Sequence, residues 1–304
     1  MRMTALFFAY LFACFLLAAL LTYPLMATGW IAIDAHRVMG RLAQVFILAG
    51  LWPLLAFLRL DDRAALGYRP TGAFMLRRIG LGWLVGLAIL GALVAVLMTL
   101  EIRVLDPGLV IWPGLVEKGI QALIGGLLIG VLEETFFRGA LYTAIRGRDG
   151  VRSAVLWSSA LYAVLHFMKP GALPDGMAFD WFGALWMFVH AFADLFQWKN
   201  LDSLVALFAV GVFLSLVRER SGHIGWCIGM HAGWVFAIQM TRRVSDGNPA
   251  SDLGFLVGDY DGTIGWLAAA WIGSLAALFW WWRSSRPGDR ADSASDGPRR
   301  GAGG

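Results

Sequence analysis

The stretch Leu132-Glu133-Glu134-Thr135-Phe136-Phe137-Arg138-Gly139 places two carboxylates and a guanidinium inside a run, Gly119 to Ala144, that is otherwise almost wholly apolar. Two imidazoles, His166 and His231, stand inside later apolar runs. Ionisable groups that deep are costly to desolvate and mark functional sites. Carboxylates and imidazoles together can take up and return protons and activate water, which suits general acid–base hydrolysis. Either Glu133 or Glu134 can act as general base and then acid. Glu134, His166 and His231 also make a familiar zinc set for hydrolysis. The histidines come from separate segments without the HExxH spacing that puts two ligands on one helix face, so metal-assisted and metal-free hydrolysis both stay open.

The elements that must carry these groups are transmembrane helices. Of 304 residues 59% are hydrophobic and 15% charged, with a mean hydropathy of +0.66, far from the balance of a soluble domain. The apolar runs predict an all-α polytopic bundle of eight spans: Thr4 to Met26, Leu42 to Leu60, Ile79 to Leu100, Glu117 to Ile145, Val151 to Met168, Leu201 to Val217, Gly222 to Met240 and Thr263 to Trp282. Asp180 to Trp198 is expected to be an amphipathic helix in the headgroup region, with His190, Asp194 and Gln197 on its polar face and tryptophans at its edges. With eight spans, sixteen lysines and arginines fall on the side of the two termini and eight on the other, which puts both termini in the cytoplasm; a ninth span would erase that bias. The basic residues sit between spans without an aromatic-interleaved face, so a nucleic-acid partner is not expected. The lipid bilayer is the surrounding partner. Cys14 and Cys227, the only cysteines, lie in apolar runs and offer no disulfide framework.

Helix rise converts sequence distance into depth. Glu134 lies about 18 Å from Arg146, His166 about 21 Å from Arg152 and His231 about 17 Å from Arg220, at 1.5 Å per residue. Three separate helices therefore bring their groups to one layer. Gly126, Gly130, Glu134 and Arg138 follow at steps of four, a small-residue stripe that a neighbouring helix can approach closely. The stripe turns Glu134 to the bundle interior, favours it over Glu133 as the base, and allows an i,i+4 pair with Arg138.

Glu133 to Arg138 resembles the EExxxR motif of the CPBP intramembrane proteases, the family that includes the type 2 CAAX prenyl endopeptidases and bacterial bacteriocin-processing and self-immunity proteins. Tyr162 to His166 is similar to its FxxxH motif and His231 to Val235 to its HxxxN motif. The resemblance implies an intramembrane endopeptidase: a glutamate and His166 position the water, His231 faces the oxyanion, Arg138 fixes the carboxylate, and the positions of Tyr162 and Val235 contact substrate. Tyr162 keeps the ring expected there. Val235 stands in place of an asparagine, which removes one side-chain donor to the oxyanion; such a loss costs about two to three orders of magnitude in rate.

These readings divide the chain into N-terminal helices over 1–116, a CPBP-like catalytic core over 117–241, an outer loop and last span over 242–283, and a disordered cytoplasmic tail over 284–304. The expected substrate is a membrane-embedded or membrane-anchored polypeptide cut near the cytoplasmic leaflet, and the bacterial relatives point to an inner-membrane protein. A catalytically silent scaffold or immunity protein, which the Val235 position favours, and a proton-coupled carrier are the alternatives. A buried structural ion pair would account for Glu134 and Arg138 alone, but not for two imidazoles at matched depth.

Overall fold

The computed structural model describes residues 2–69, 72–109, 111–193 and 197–284; Asp194 and residues 285–304 of the expected tail lie outside them. The chain is an all-α bundle of α1 (Arg2–Ala27), α2 (Ala35–Leu58), α3 (Ala73–Thr99), α4 (Val116–Glu134), α5 (Tyr142–Phe167), α6 (Trp181–Ala193), α7 (Leu201–Ser221), α8 (Gly225–Val244) and α9 (Trp266–Ser284). Among the described residues, five helical stretches are long and apolar enough to cross a membrane: Arg2–Ala27, Ala35–Leu58, Ala73–Thr99, Pro113–Phe167 and Trp198–Ser221. The fourth holds two of the expected spans. They part at Gly150, whose φ of +80° breaks the helical path and is open to glycine without strain. The remaining two expected spans are α8 and α9.

The helix ends sort into two faces. At one, Thr143 Oγ1 donates to Ala65 O at 3.0 Å and Ile224 N to Gly67 O at 3.0 Å, which gathers the α2–α3, α4–α5 and α7–α8 connections. At the other, Lys169 Nζ donates to Tyr260 OH, Ser203 Oγ to Ile264 O, and Gly40 packs on Pro170. A two-stranded antiparallel sheet, β1 (Arg103–Leu105) with β2 (Ser245–Gly247), closes this second face, Arg103 opposite Gly247. The Arg103 guanidinium donates to Ser245 Oγ and Gly262 O, each at 2.9 Å, and so pins the α8–α9 loop.

The segment expected to lie flat in the headgroups does otherwise. Tyr23 of α1 meets Trp181, whereas Phe12 meets Phe188 and Phe192. Advancing along α6 means retreating along α1, so the two are antiparallel and α6 follows the long axis of the bundle. Its 13 residues rise about 20 Å, less than a crossing needs. The apolar face buries Met187 and Ala191, and His190 stacks on Trp186 and meets its carbonyl at 2.9 Å. Packing against α1 thus wins over the partition into the headgroups that the polar residues suggested.

Helix α8 sits between α3 and α4, and glycines on both sides bring the backbones together. On the α3 side, Gly82 and Gly86 face Trp226 and Met230, while Gly229 faces the Ile79 carbonyl and Gly233 the Trp83 carbonyl. On the α4 side, a Cβ at Gly126 or Gly130 would stand 2.9 Å from the carbonyls of Ala232 and Ile228 respectively. Small residues permit this contact where lipid supplies no hydrophobic drive between helices. Gly229→Ala should therefore overpack the α3–α8 contact and lower stability by about 1–3 kcal/mol, whereas Gly91→Ala, which points into open space, should be neutral or slightly stabilising. Thermal unfolding of the two variants in detergent measures the difference.

Candidate active site

Beyond Glu134 the α4 helix widens into a π-helical segment, Thr135–Leu141, in which Phe136 to Leu141 are all buried. Such segments often accompany functional sites. Glu133 and Glu134 form its entrance and Arg138 its middle. Glu134 and Arg138 are fully enclosed, each 0% exposed. Glu134 Oε1 accepts from Arg138 Nη1 at 2.9 Å and from His231 Nδ1 at 2.7 Å. The Arg138 guanidinium also donates to Gly211 O of α7 at 3.2 Å and lies 4.7 Å over the Tyr162 ring. Gly211 can offer that carbonyl because it has no side chain to hold α5 away, where Ser159 closes in. One carboxylate thus ties α4 to α8, and its arginine ties α4 to α7.

Both imidazoles are anchored through Nδ1. His166 Nδ1 donates to Tyr162 O at 2.7 Å, as it must, because a carbonyl only accepts. Nε2 of each ring turns toward Glu133, whose Oε2 lies 3.9 Å from His166 Nε2 and 3.8 Å from His231 Nε2. That oxygen is buried without a hydrogen-bond partner. Tyr162 packs among these groups, its ring centroid 4.4 Å from that of His166 and 6.1 Å from that of His231.

Glu133, His166, His231, Tyr162 and Val235 line one cavity of about 620 Å³, mostly apolar. Glu134 and Arg138 do not. The stripe correctly turns Glu134 to the interior, but that interior is the packed contact with α8; the cavity lies beside the stripe, where a rotation of about 100° places Glu133. Of the two carboxylates, Glu133 and not Glu134 reaches the cavity. The zinc set Glu134, His166 and His231 does not converge either, because Glu134 meets His231 on the far side of the ring from Nε2. The groups that do converge, Glu133 with the two Nε2 atoms, are 3.8–3.9 Å apart, wide for donors of one tetrahedral zinc, which stand about 3.4 Å from each other. Among the described residues no three histidine, cysteine or carboxylate side chains are arranged to hold a metal ion.

The cavity occupies the half of the bundle next to the β1–β2 face. It runs from Phe136 and Phe137 to Gly40, Lys169, Pro170 and Asp261 and stops short of the arginine-rich turn at Arg146 to Arg152. This places the cavity toward the face opposite the start of α1 and the end of α9. Two polar residues at the mouth went unread in the sequence, Lys169 and Tyr260. Lys169 Nζ donates to Tyr260 OH at 3.1 Å and sits 4.6 Å over its ring. Burial lowers the Lys169 ammonium pKa, with Glu133 and Asp261 opposing. Burial raises the Asp261 carboxyl, opposed by the backbone N–H groups of Ile264 and Thr263. Both residues lie in loops without periodicity, where only the adjacency of Lys169 to the histidine motif was a signal.

Val235 stands at the cavity wall beside Gly126, an aliphatic side chain with no proton to donate. No curated protein and no solved structure matches the chain. Residues 116–237, which contain every group from Glu133 to Val235 described above, match the family model described as type II CAAX prenyl endopeptidase Rce1-like, and over that stretch the chain is similar to the CPBP, or CAAX-protease, family.

Proposed function

We propose that the chain is an intramembrane endopeptidase in which Glu133, not Glu134, is the general base. The observation that carries this reading is the unpartnered Glu133 oxygen in the cavity, facing the Nε2 atoms of two imidazoles whose other nitrogens are held. A buried acceptor without a partner is a place for a proton-bearing guest. Water held by Glu133 and by the Nε2 lone pair of neutral His166 gives its proton to Glu133 as its oxygen bonds to the scissile carbonyl carbon. The carbonyl electrons move to oxygen. His231 faces that oxyanion: its Nδ1–H is held by Glu134, so a second proton on Nε2 makes an imidazolium whose charge Glu134 balances. Glu133 then returns its proton to the nitrogen as the C–N bond breaks, leaving an acid and an amine. Glu134 and Arg138 are positioning residues that act through His231.

Glu133→Gln should abolish cleavage and leave the unfolding temperature nearly unchanged, because Glu133 Oε2 makes no hydrogen bond that the substitution would break. Glu134→Gln should lose cleavage and also destabilise the fold, since breaking a buried pair costs about 3–5 kcal/mol. Comparing the membrane-protein termini generated by each variant, alongside thermal melts in detergent, separates the two roles. Equal loss of stability in both would return Glu133 to a structural role. Cleavage should survive treatment with a strong chelator; an abolition reversed by added zinc would sink the metal-free reading.

Val235 favours a second reading, a silent member that acts by binding. The two diverge on Val235→Asn. In an enzyme the restored amide should raise turnover, on the order of tenfold or more, with Glu133→Gln cancelling the gain. A silent scaffold should show no new termini in either variant.

A further inference from the structure

The position of the cavity and the distribution of charge carry a statement about the substrate. The three connections gathered at one face hold Arg59, Arg63, Arg69, Arg77 and Arg78, then Arg146, Arg148 and Arg152, then Arg218 and Arg220. Arg2 begins α1 and Arg283 lies near the end of α9, at the same face. The opposite face, which holds the cavity mouth, carries eight basic residues, of which Arg103 is committed to the β1–β2 clamp. The excess of lysine and arginine beside spans orients a polytopic protein with the rich face in the cytoplasm. Every element lining the cavity contributes its half nearest the other face or its middle: α2 from Gly40 to Leu48, α7 from Ala206 to Val210, α9 from Ala268 to Ile272, and α5 from Tyr162 onward.

We infer that the catalytic cavity opens on the non-cytoplasmic side of the membrane, so that its substrates are membrane polypeptides whose scissile segment stands at that surface. This rests on the endopeptidase reading only for the word substrate; the side on which the cavity opens is independent of it. The consequence for chemistry is a restriction. A chain end lipidated and held at the cytoplasmic leaflet does not reach Glu133, whereas a translocated segment beside a span, such as the flank left by an exported or inserted polypeptide, does. The apolar wall of the cavity suits the part of the segment still at membrane depth, and Lys169 and Tyr260 stand where its backbone enters.

The test needs no substrate. Single cysteines are introduced at exposed positions near each face: Asp175→Cys and Asp252→Cys at the cavity face, Asp61→Cys and Arg148→Cys at the other. The native Cys14 and Cys227 are 7% and 0% exposed and give the background. Intact cells producing the full chain are treated with a membrane-impermeant maleimide, then permeabilised and treated again. The expected result is labelling of Asp175→Cys and Asp252→Cys in intact cells, and of Asp61→Cys and Arg148→Cys only after permeabilisation. The reverse pattern, labelling of both pairs in intact cells, or labelling of neither, overturns the proposal. Two reporters per face guard against a variant that fails to fold. A failed proposal leaves the Glu133→Gln experiment untouched, and an inactive enzyme leaves the labelling pattern untouched.

Discussion

A carboxylate sealed from solvent and shared by a guanidinium and an imidazole is the constraint from which the rest of the bundle follows. Glu134 with 0% exposure carries a desolvation cost of several kcal/mol, which Arg138 and His231 offset only if both keep their geometry. That requirement fixes the distance between α4 and α8 to a hydrogen bond of 2.7 Å. The glycines opposite Ile228 and Ala232 are then obligatory, since any larger residue on α4 would hold α8 too far away for the imidazole to reach. The arginine carries the same constraint to α7 through the Gly211 carbonyl. Three helices are set in register by one charge.

The active groups inherit their rigidity from this arrangement. His231 is held at Nδ1, so its Nε2 has one direction to face, and that direction is the cavity. His166 is fixed by the carbonyl one turn earlier in its own helix. Glu133 is the exception. It is about one third exposed, held by neither cation, and adjacent in sequence to the most constrained residue of the protein. In the proposed mechanism a base that takes and returns a proton gains from having no fixed hydrogen bond, and its neighbour supplies the order that it lacks. The division of labour between two consecutive carboxylates is thus set by a rotation of about 100° on one helix.

Much of this was legible in the sequence because helices translate spacing into space. Steps of four at Gly126, Gly130, Glu134 and Arg138 predicted a close helix contact, which the structure gives to α8, and the ion pair. Counting rise from the arginine flanks brought His166, His231 and the acidic pair to one layer, where the structure has them. What failed were inferences needing knowledge of which side of a contact is empty. Periodicity says that Glu134 points inward; it does not say that inward at that azimuth means packed protein and that the cavity lies one residue away. Asp180 to Trp198 failed for a related reason, because its polar residues satisfy themselves locally, as His190 does on Trp186, and leave an apolar face free to pack along α1. Lys169 and Tyr260 come from loops that meet only because Arg103 and the β1–β2 pairing bind them together, a long-range event without a local signature.

The aliphatic residue at position 235 bears on how far the catalytic arrangement can be simplified. An oxyanion can be stabilised by a neutral amide and an imidazole together, or by an imidazolium alone if a counter-charge keeps that cation in a poorly solvated site. Glu134 is placed to be such a counter-charge, and its second tie to Arg138 prevents it from turning away from His231. In the proposed mechanism Val235 therefore offers the oxyanion no donor, while the electrostatically stronger one, His231, stays in place. It also leaves the cavity wall near Gly126 wholly apolar, so that the local dielectric stays low and the remaining charge–charge interaction is less screened. A site built this way would be slower than one with both donors, yet its geometry is intact for the reaction, and the same buried carboxylate that assembles the fold would be what keeps the chemistry possible.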